Sequence, residues 1–545
     1  MLFKKTKKKS LLFQKRKQQW NIFLCFISSF CITLPAQAFK LSKFQVSQKV
    51  SIAWANINPK VNIWHIIKIT DKTQKPFYAR YFHFENPNPT TVLTLVKDGL
   101  NLTKVSGQKK HCALWSQQSM HNITKMNFSK NPNPFISLCN GWIYLRLYRS
   151  SKTPLSLTEW GTDILRSTSF GESIISTVKP TLVDMKAEKV TRIHKNSKSK
   201  KQPDYFPESP LIQEKNTVLN SEDHQLGISI QNEENSIKMG QWYESSMHKS
   251  IYISLYTADL VPKHLLKTYK NRVNNIHSEE LSSLIYVTAY DLSKFSLKYS
   301  VGTEQPPIKT PRNHQKMRYN KYLKPIGSVP PYKLNQAVSV FIGGFKSRHS
   351  TIKEGPFQGK TYGYIQNGVH LAHMSHGLAT LSIDNASHVR LHAWSRADSQ
   401  KNITVDARQN GVMLIENWEP SNLLNNYEYG NWSADAKGLR RSIRSGVCIQ
   451  ESKNKKYLIF MAFTHATPSS MVRVMQSYSC KNAMHLDMNA LMYVHNALFK
   501  FNTNEQKLQI EYLHQEMLYP PTLQRHRYVM DNNRRDFFYL TKKNQ

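Results

Sequence analysis

Arg444 and Asp487 are the two residues of this chain whose types and settings best suit work on a phosphodiester. Such a substrate needs fixed positive charge and N–H donors around its oxygens, and the Arg444 guanidinium offers a two-pronged fork for them. Asp487, at the end of an apolar stretch that reads as a buried strand, could serve as general acid or base, orient sugar hydroxyls or hold a divalent cation. His485 alternates with it on the same strand face. Gly343 and Gly344 could turn bare backbone N–H groups toward an anion, because glycine lets the chain approach closely. Arg408 and Glu416 flank a predicted turn and could line the same cleft. Each also has a plain structural reading. Arg444 follows Arg440 and Arg441 in a basic run, Gly343–Gly344 can end a strand, Asp487 can cap a turn, and a strand histidine is more often core than catalyst.

The elements that must position these residues are mostly strands. Val338 to Ile342 is an apolar run ending at Gly343–Gly344, and Tyr457 to Phe463 reads as a buried strand. Asn367–Gly368 and Asp384–Asn385 mark hairpin turns. Thr467–Pro468 caps a predicted helix with Met471, Val474, Met475 and Tyr478 on its apolar face.

The order of these segments resembles the phosphodiester glycosidase family over roughly residues 245–500. Phe341-Ile342-Gly343-Gly344-Phe345 is similar to its Asn-Gly-Gly-Phe-Phe segment, and Asn367-Gly368-Val369 to a later turn. Ala407-Arg408-Gln409-Asn410 with Leu414-Ile415-Glu416-Asn417 resembles the stretch before its arginine motif, and Arg444-Ser445-Gly446-Val447 the motif itself. Cys480 to Asp487 resembles its Gly-Cys-x-x-Ala-x-x-Leu-Asp run. The resemblance implies catalysis by Asp487 and Arg444, with Gly343, Gly344, Arg408, Glu416 and His485 around the substrate. Two departures stand out: Ile342 replaces the family's Asn, and Met488-Asn489-Ala490-Leu491 replaces its Gly-Gly-Gly-Ser.

These features predict an α+β protein. Residues 1–38 read as a signal peptide, 39–180 as a β-rich domain, 181–240 as a flexible linker, 241–503 as a mixed α+β phosphodiester-glycosidase-like domain and 504–545 as a tail. The signal rests on lysines up to Lys17, a short apolar run from Ile22 to Leu34, and Ala36-Gln37-Ala38. That run is below the ~20 residues a membrane span needs. Export leads to the periplasm or the medium, and no transmembrane segment is expected after cleavage. Cys112, Cys139, Cys448 and Cys480 remain in the mature chain, and an oxidising compartment favours their pairing. Of three connectivities, Cys112–Cys139 and Cys448–Cys480 keep each pair inside one predicted domain.

The formal charge of +39, part of it in the signal, points to an anionic partner or to scattered surface lysines. Nucleic acid is not expected, since no such binding signature is present. The readings are therefore an exported hydrolase cleaving a sugar-1-phosphodiester bond, an envelope glycan being one candidate substrate, or an inactive relative binding anionic glycan or another envelope component. A divalent cation is the one cofactor in view.

Overall fold

The computed structural model describes residues 42–56, 64–72, 78–87, 91–96, 98–104, 106–114, 135–147, 193–194, 206–213, 217–220, 223–232, 236–304, 325–346, 351–352, 355, 357–401, 403–424, 441–502, 505, 507–517, 526–529 and 532–543. The predicted signal segment, 1–38, lies outside them.

Apolar runs such as Ala337–Ile342 and Lys455–Ala466 are buried at nearly every position, as in strands covered on both faces. They form the middle of antiparallel sheets. The largest sheet has eight strands, in the order Tyr243–Glu244, Ile251–Thr257, Leu284–Asp291, Lys455–Ala466, Ser442–Ser452, Asn482–Met488, Met413–Glu416 and Glu419–Pro420. One five-stranded sheet runs Phe295–Ser300, Phe537–Lys542, Ala337–Ile342, Asn496–Asn502, Lys507–Tyr512. A second runs Val369–Ala372, Tyr364–Gln366, Thr404–Gln409, Ala379–Asp384, Val389–Ala393. All three contribute to one continuous core that includes Tyr290, Phe341, Leu381, Val447 and Phe460.

The expected α+β class does not hold. The described residues are mainly β, in six sheets, with four α-helices of which Pro468–Ser477 is the longest. The physical reason is visible in the sequence: turn pairs such as Asn367–Gly368 punctuate short apolar runs, and a sustained helical period occurs at Met471–Tyr478. That helix starts as predicted, with the Thr467 hydroxyl accepting from the Ser470 amide and Pro468 in the first turn. Its far side is buried too. There Arg473 donates to the carbonyls of Leu265 and Thr268 at 2.6 and 2.7 Å, tying down the end of the Lys263–Lys267 helix.

The stretch expected as a linker contributes structure. Thr217–Asn220 pairs with Ser236–Lys238, and Leu219, Ile228, Ile237 and Met239 enter the main core. The expected tail does so more decisively. Phe537–Lys542 lies between Phe295–Ser300 and Ala337–Ile342, with Phe537, Phe538 and Leu540 fully buried.

Residues nearer the N-terminus form a six-stranded sheet (Ser42–Gln45, Val50–Asn56, Trp64–Asp71, Tyr78–Glu85, Ile143–Leu147, Phe135–Leu138) and a three-stranded one (Val92–Val96, Gly99–Thr103, Lys109–Cys112). Ile52, Ile67, Phe82, Leu100 and Leu102 share a core of their own. The Cys112–Cys139 disulfide joins the two sheets, and Cys448–Cys480 is the other bridge, both as predicted. This β unit meets the rest through Tyr144, stacked on Tyr332 at 4.4 Å, and through a 3.1 Å hydrogen bond from the Tyr332 hydroxyl to Glu85. No helix among the described residues is long and apolar enough to cross a membrane.

Candidate functional site

Arg408 lies on the middle strand of the second five-stranded sheet, and its side chain is fully buried. A buried guanidinium must find acceptors for its donors. Nε donates to Asp536 Oδ2 at 2.8 Å, Nη2 to the Phe345 carbonyl at 2.5 Å, and Nη1 to Asn410 Oδ1 at 3.3 Å and to the Gln409 carbonyl. The Tyr364 ring lies 4.7 Å from it, and the Tyr299 hydroxyl donates to Asp536 Oδ2 at 2.9 Å. Burial works against the charge, but Asp536 and the Tyr364 and Tyr299 phenols hold the guanidinium proton more tightly than usual.

Gly343 and Gly344 pack directly against this pair. The Gly343 amide donates to the Asp536 carbonyl at 3.0 Å, and a Cβ there would fall 2.3 Å from Asp536 Oδ2. At Gly344, with φ at +145°, a Cβ would meet Asn410 Oδ1 at 2.9 Å and Arg408 Cζ at 3.1 Å. The pair of glycines therefore makes room for an internal ion pair. The Gly343 amide, expected to face an anion, is committed to the chain's own backbone.

Asn410 links this cluster to the eight-stranded sheet. Its Nδ2 donates to the carbonyls of His485 and Leu486, both at 2.7 Å, while Oδ1 accepts from the Phe345 amide at 3.2 Å. The His485 ring stands edge-on to Phe345 at 5.0 Å, fully buried. Burial, and then the nearby Arg444 charge, keep it neutral far below the ordinary imidazole range.

Asp487 sits two residues on, with 3 % of its surface exposed. Its Oδ1 accepts from the Met488 amide at 2.8 Å and Oδ2 is paired with the Arg535 guanidinium, which lies 4.2 Å from the Tyr493 ring. The Ser445 hydroxyl bridges the Asp487 carbonyl and amide at 3.0 and 3.2 Å. Arg444 is fully buried; Nε donates to the Ala466 carbonyl at 2.8 Å and Nη1 contacts Met488 Sδ at 3.4 Å. Met488, where the resemblance led glycine to be expected, thus packs against Arg444. The turn that glycine would ease is made by Asn489 at φ +88°.

Of the predicted site residues, Gly343, Gly344, Arg408, His485, Asp487 and Arg444 are drawn into one linked interior region. Glu416 is not. It is exposed, beside the Asn482 end of the Asn482–Met488 strand, about five residues or ~16 Å from Asp487. Among the described residues no group of three His, Cys, Asp or Glu side chains gathers as a metal ligand set. Sequence reading missed Asp536, Arg535, Asn410 and Tyr299. The signal for the first two was the charged triplet Arg534-Arg535-Asp536 abutting the apolar run Phe537 to Leu540.

No family model matches this chain, and no curated protein matches it. Among solved structures, it is similar to the zebrafish N-acetylglucosamine-1-phosphodiester alpha-N-acetylglucosaminidase catalytic domain, auto-inhibited by its pro-peptide, at 13% identity and a TM-score of 0.32, over 55% of this chain and 85% of that one. A hypothetical protein from Synechocystis is similar at 8% identity and a TM-score of 0.27, over 93% of this chain and 99% of that one. Both likenesses are distant, and neither is close enough to carry a function across.

Proposed function

We propose that this chain is an exported, non-catalytic relative of the phosphodiester glycosidases that binds anionic glycan of the cell envelope. The observation that carries the reading is that groups expected to be catalytic or substrate-binding are already engaged by the chain itself. Asp487 is spent on Arg535, Arg408 on Asp536, and the Gly343 amide on the Asp536 carbonyl, all in a closed interior. A substrate would have to displace a buried ion pair to reach the Asp487 carboxylate. The formal charge of +39 includes eight lysines and arginines in residues 1–38; the strongly positive remainder supplies long-range attraction for a polyanion. The two disulfides fit life in an oxidising compartment, and residues 1–38 would take the chain there.

Purified mature protein, offered a panel of glycosyl phosphodiesters with and without divalent metal, is expected to release no product. It is expected to be retained on an immobilised polyanionic polysaccharide at low salt and released as salt rises. Turnover that disappears in Asp487→Asn would overturn the reading in favour of the hydrolase. Passage through the polyanion column at low salt would remove the binding role.

A further inference from the structure

The hairpin between Met413–Glu416 and Glu419–Pro420 turns on two residues, Asn417 at φ +48° and Trp418 at φ +68°. A two-residue turn with both central φ values positive is normally Asn-Gly, because the second position strains any residue with a Cβ. Here that position holds the bulkiest side chain there is, and the residue is 51 % exposed. A large aromatic residue held on left-handed backbone at a surface turn is the kind of strained outlier from which a function can be inferred.

The tip is fixed on every side. The Trp418 amide donates to the Lys481 carbonyl at 2.8 Å and the Asn417 amide to Asn482 Oδ1 at 2.9 Å. Lys481 follows Cys480 of the Cys448–Cys480 bridge, and its ammonium, also bound to Glu451 at 2.7 Å, lies over one face of the indole, 4.9 Å from its centroid. Glu419 is held by Arg272 at 3.1 Å, and the same Arg272 Nη1 reaches the Pro420 carbonyl at 3.2 Å. Arg272 lies 5.3 Å from the ring of Tyr269, a second aromatic residue on left-handed backbone, at φ +50°.

We infer that Trp418 is a stacking platform for a pyranose ring of a glycan. A pyranose offers an apolar C–H face and a rim of hydroxyl groups. Trp418 offers the indole face opposite the Lys481 ammonium, and Glu416, Glu419 and Arg272 provide acceptors and donors near it. Trp and Arg are also found at the core of protein–protein contacts, but Glu and Lys are depleted there, so a protein partner is the rival occupant that the test must exclude. The inference deepens the glycan-binding reading by giving it a contact that long-range charge does not supply.

The test uses the mature full-length protein and uncharged hexasaccharides of glucose and of N-acetylglucosamine, titrated calorimetrically in 0.5 M salt, roughly where attraction between exposed charges is screened. Polyanion capture and stacking can thus fail separately. Wild type is expected to bind at least one hexasaccharide, and Trp418→Ala to lose about tenfold or more in affinity. Trp418→Gly is expected to lose binding equally while its melting temperature rises by about 1–3 °C, since glycine relieves the turn. Absence of hexasaccharide binding by wild type, or undiminished binding by both variants, would overturn the inference. So would a Trp418-dependent protein complex formed without any sugar affinity.

Discussion

Arg408 and Asp536, 128 residues apart in the chain, form a 2.8 Å ion pair in which neither side chain keeps more than 1 % of its surface exposed. The pair joins two sheets: Arg408 is on the Thr404–Gln409 strand and Asp536 immediately precedes Phe537–Lys542. Removing one partner strands the other without water, which typically costs about 3–5 kcal/mol. Arg408→Ala and Asp536→Ala are each expected to lower the unfolding free energy of the full-length protein by that amount, seen as a lower denaturation midpoint. The combined change Arg408→Met with Asp536→Leu should recover part of it, because no buried charge remains. Single variants that unfold at the wild-type midpoint would show the pair to be energetically idle.

Gly343 should behave as a dependent of that pair. Its added Cβ would lie 2.3 Å from Asp536 Oδ2, so Gly343→Ala must push the carboxylate out of its place on Arg408. In a chain that already carries Asp536→Ala the offending oxygen is gone. A double-mutant cycle on the two positions is expected to show coupling of about 1–3 kcal/mol, with the double variant less damaged than the sum. Strict additivity would place the strain elsewhere.

This ion pair also marks where the sequence stopped being readable. Local signals were legible because they depend on near neighbours: Thr467–Pro468 starting a helix, Asn367–Gly368 closing a hairpin, an even set of cysteines pairing. The order of the motifs led to the expectation that Gly343, Gly344 and Arg408 line one open cleft; they pack instead in a closed interior against Asp536, and that partner was not legible. Asp536 and Arg535 come from a stretch with polar, tail-like composition, and only the insertion of Phe537–Lys542 between two earlier strands brings them inside. Non-local strand order leaves no periodic trace in one sequence. The helical share was over-read for the related reason that a short apolar run looks alike in a helix and in a buried strand.

The two disulfides should stabilise different bodies. Cys448–Cys480 spans 32 residues and joins the main core, whereas Cys112–Cys139 spans 27 and belongs to the separate core around Ile67 and Phe82. For loops of this size chain entropy gives about 3–4 kcal/mol. Serine at both Cys448 and Cys480 is expected to lower the midpoint of the main unfolding step. Serine at Cys112 and Cys139 should leave that step in place and make residues 42–147 the first to be cut in limited proteolysis. Peptide mapping without reductant checks the pairing itself; a Cys112–Cys448 or Cys112–Cys480 peptide would refute it.

Three buried histidines make the fold acid-sensitive well above the carboxylate range. His248 is pushed down to about 4 by burial, its Nε2 2.9 Å from the Phe499 carbonyl and the charges of Lys542 and Lys500 nearby. His485 and His495 are likewise held well below the ordinary imidazole range, each by burial and then by an arginine, Arg444 and Arg527 respectively. In the unfolded chain all three take up a proton near pH 6.5. Between that pH and their folded values the unfolded state binds more protons, so stability rises with pH across the window and is lost as pH falls through it. For His248 alone the loss from pH 6.5 down to 4 is on the order of 3 kcal/mol. Melting temperatures measured at intervals from pH 7.5 to 4.5 should be level above pH 7 and fall steadily below 6.5. His248→Gln, which can keep the bond to the Phe499 carbonyl without titrating, should flatten part of that fall. A profile that stays level to pH 5 in wild type, or a variant with an unchanged slope, would mean that these imidazoles take up protons in the folded state.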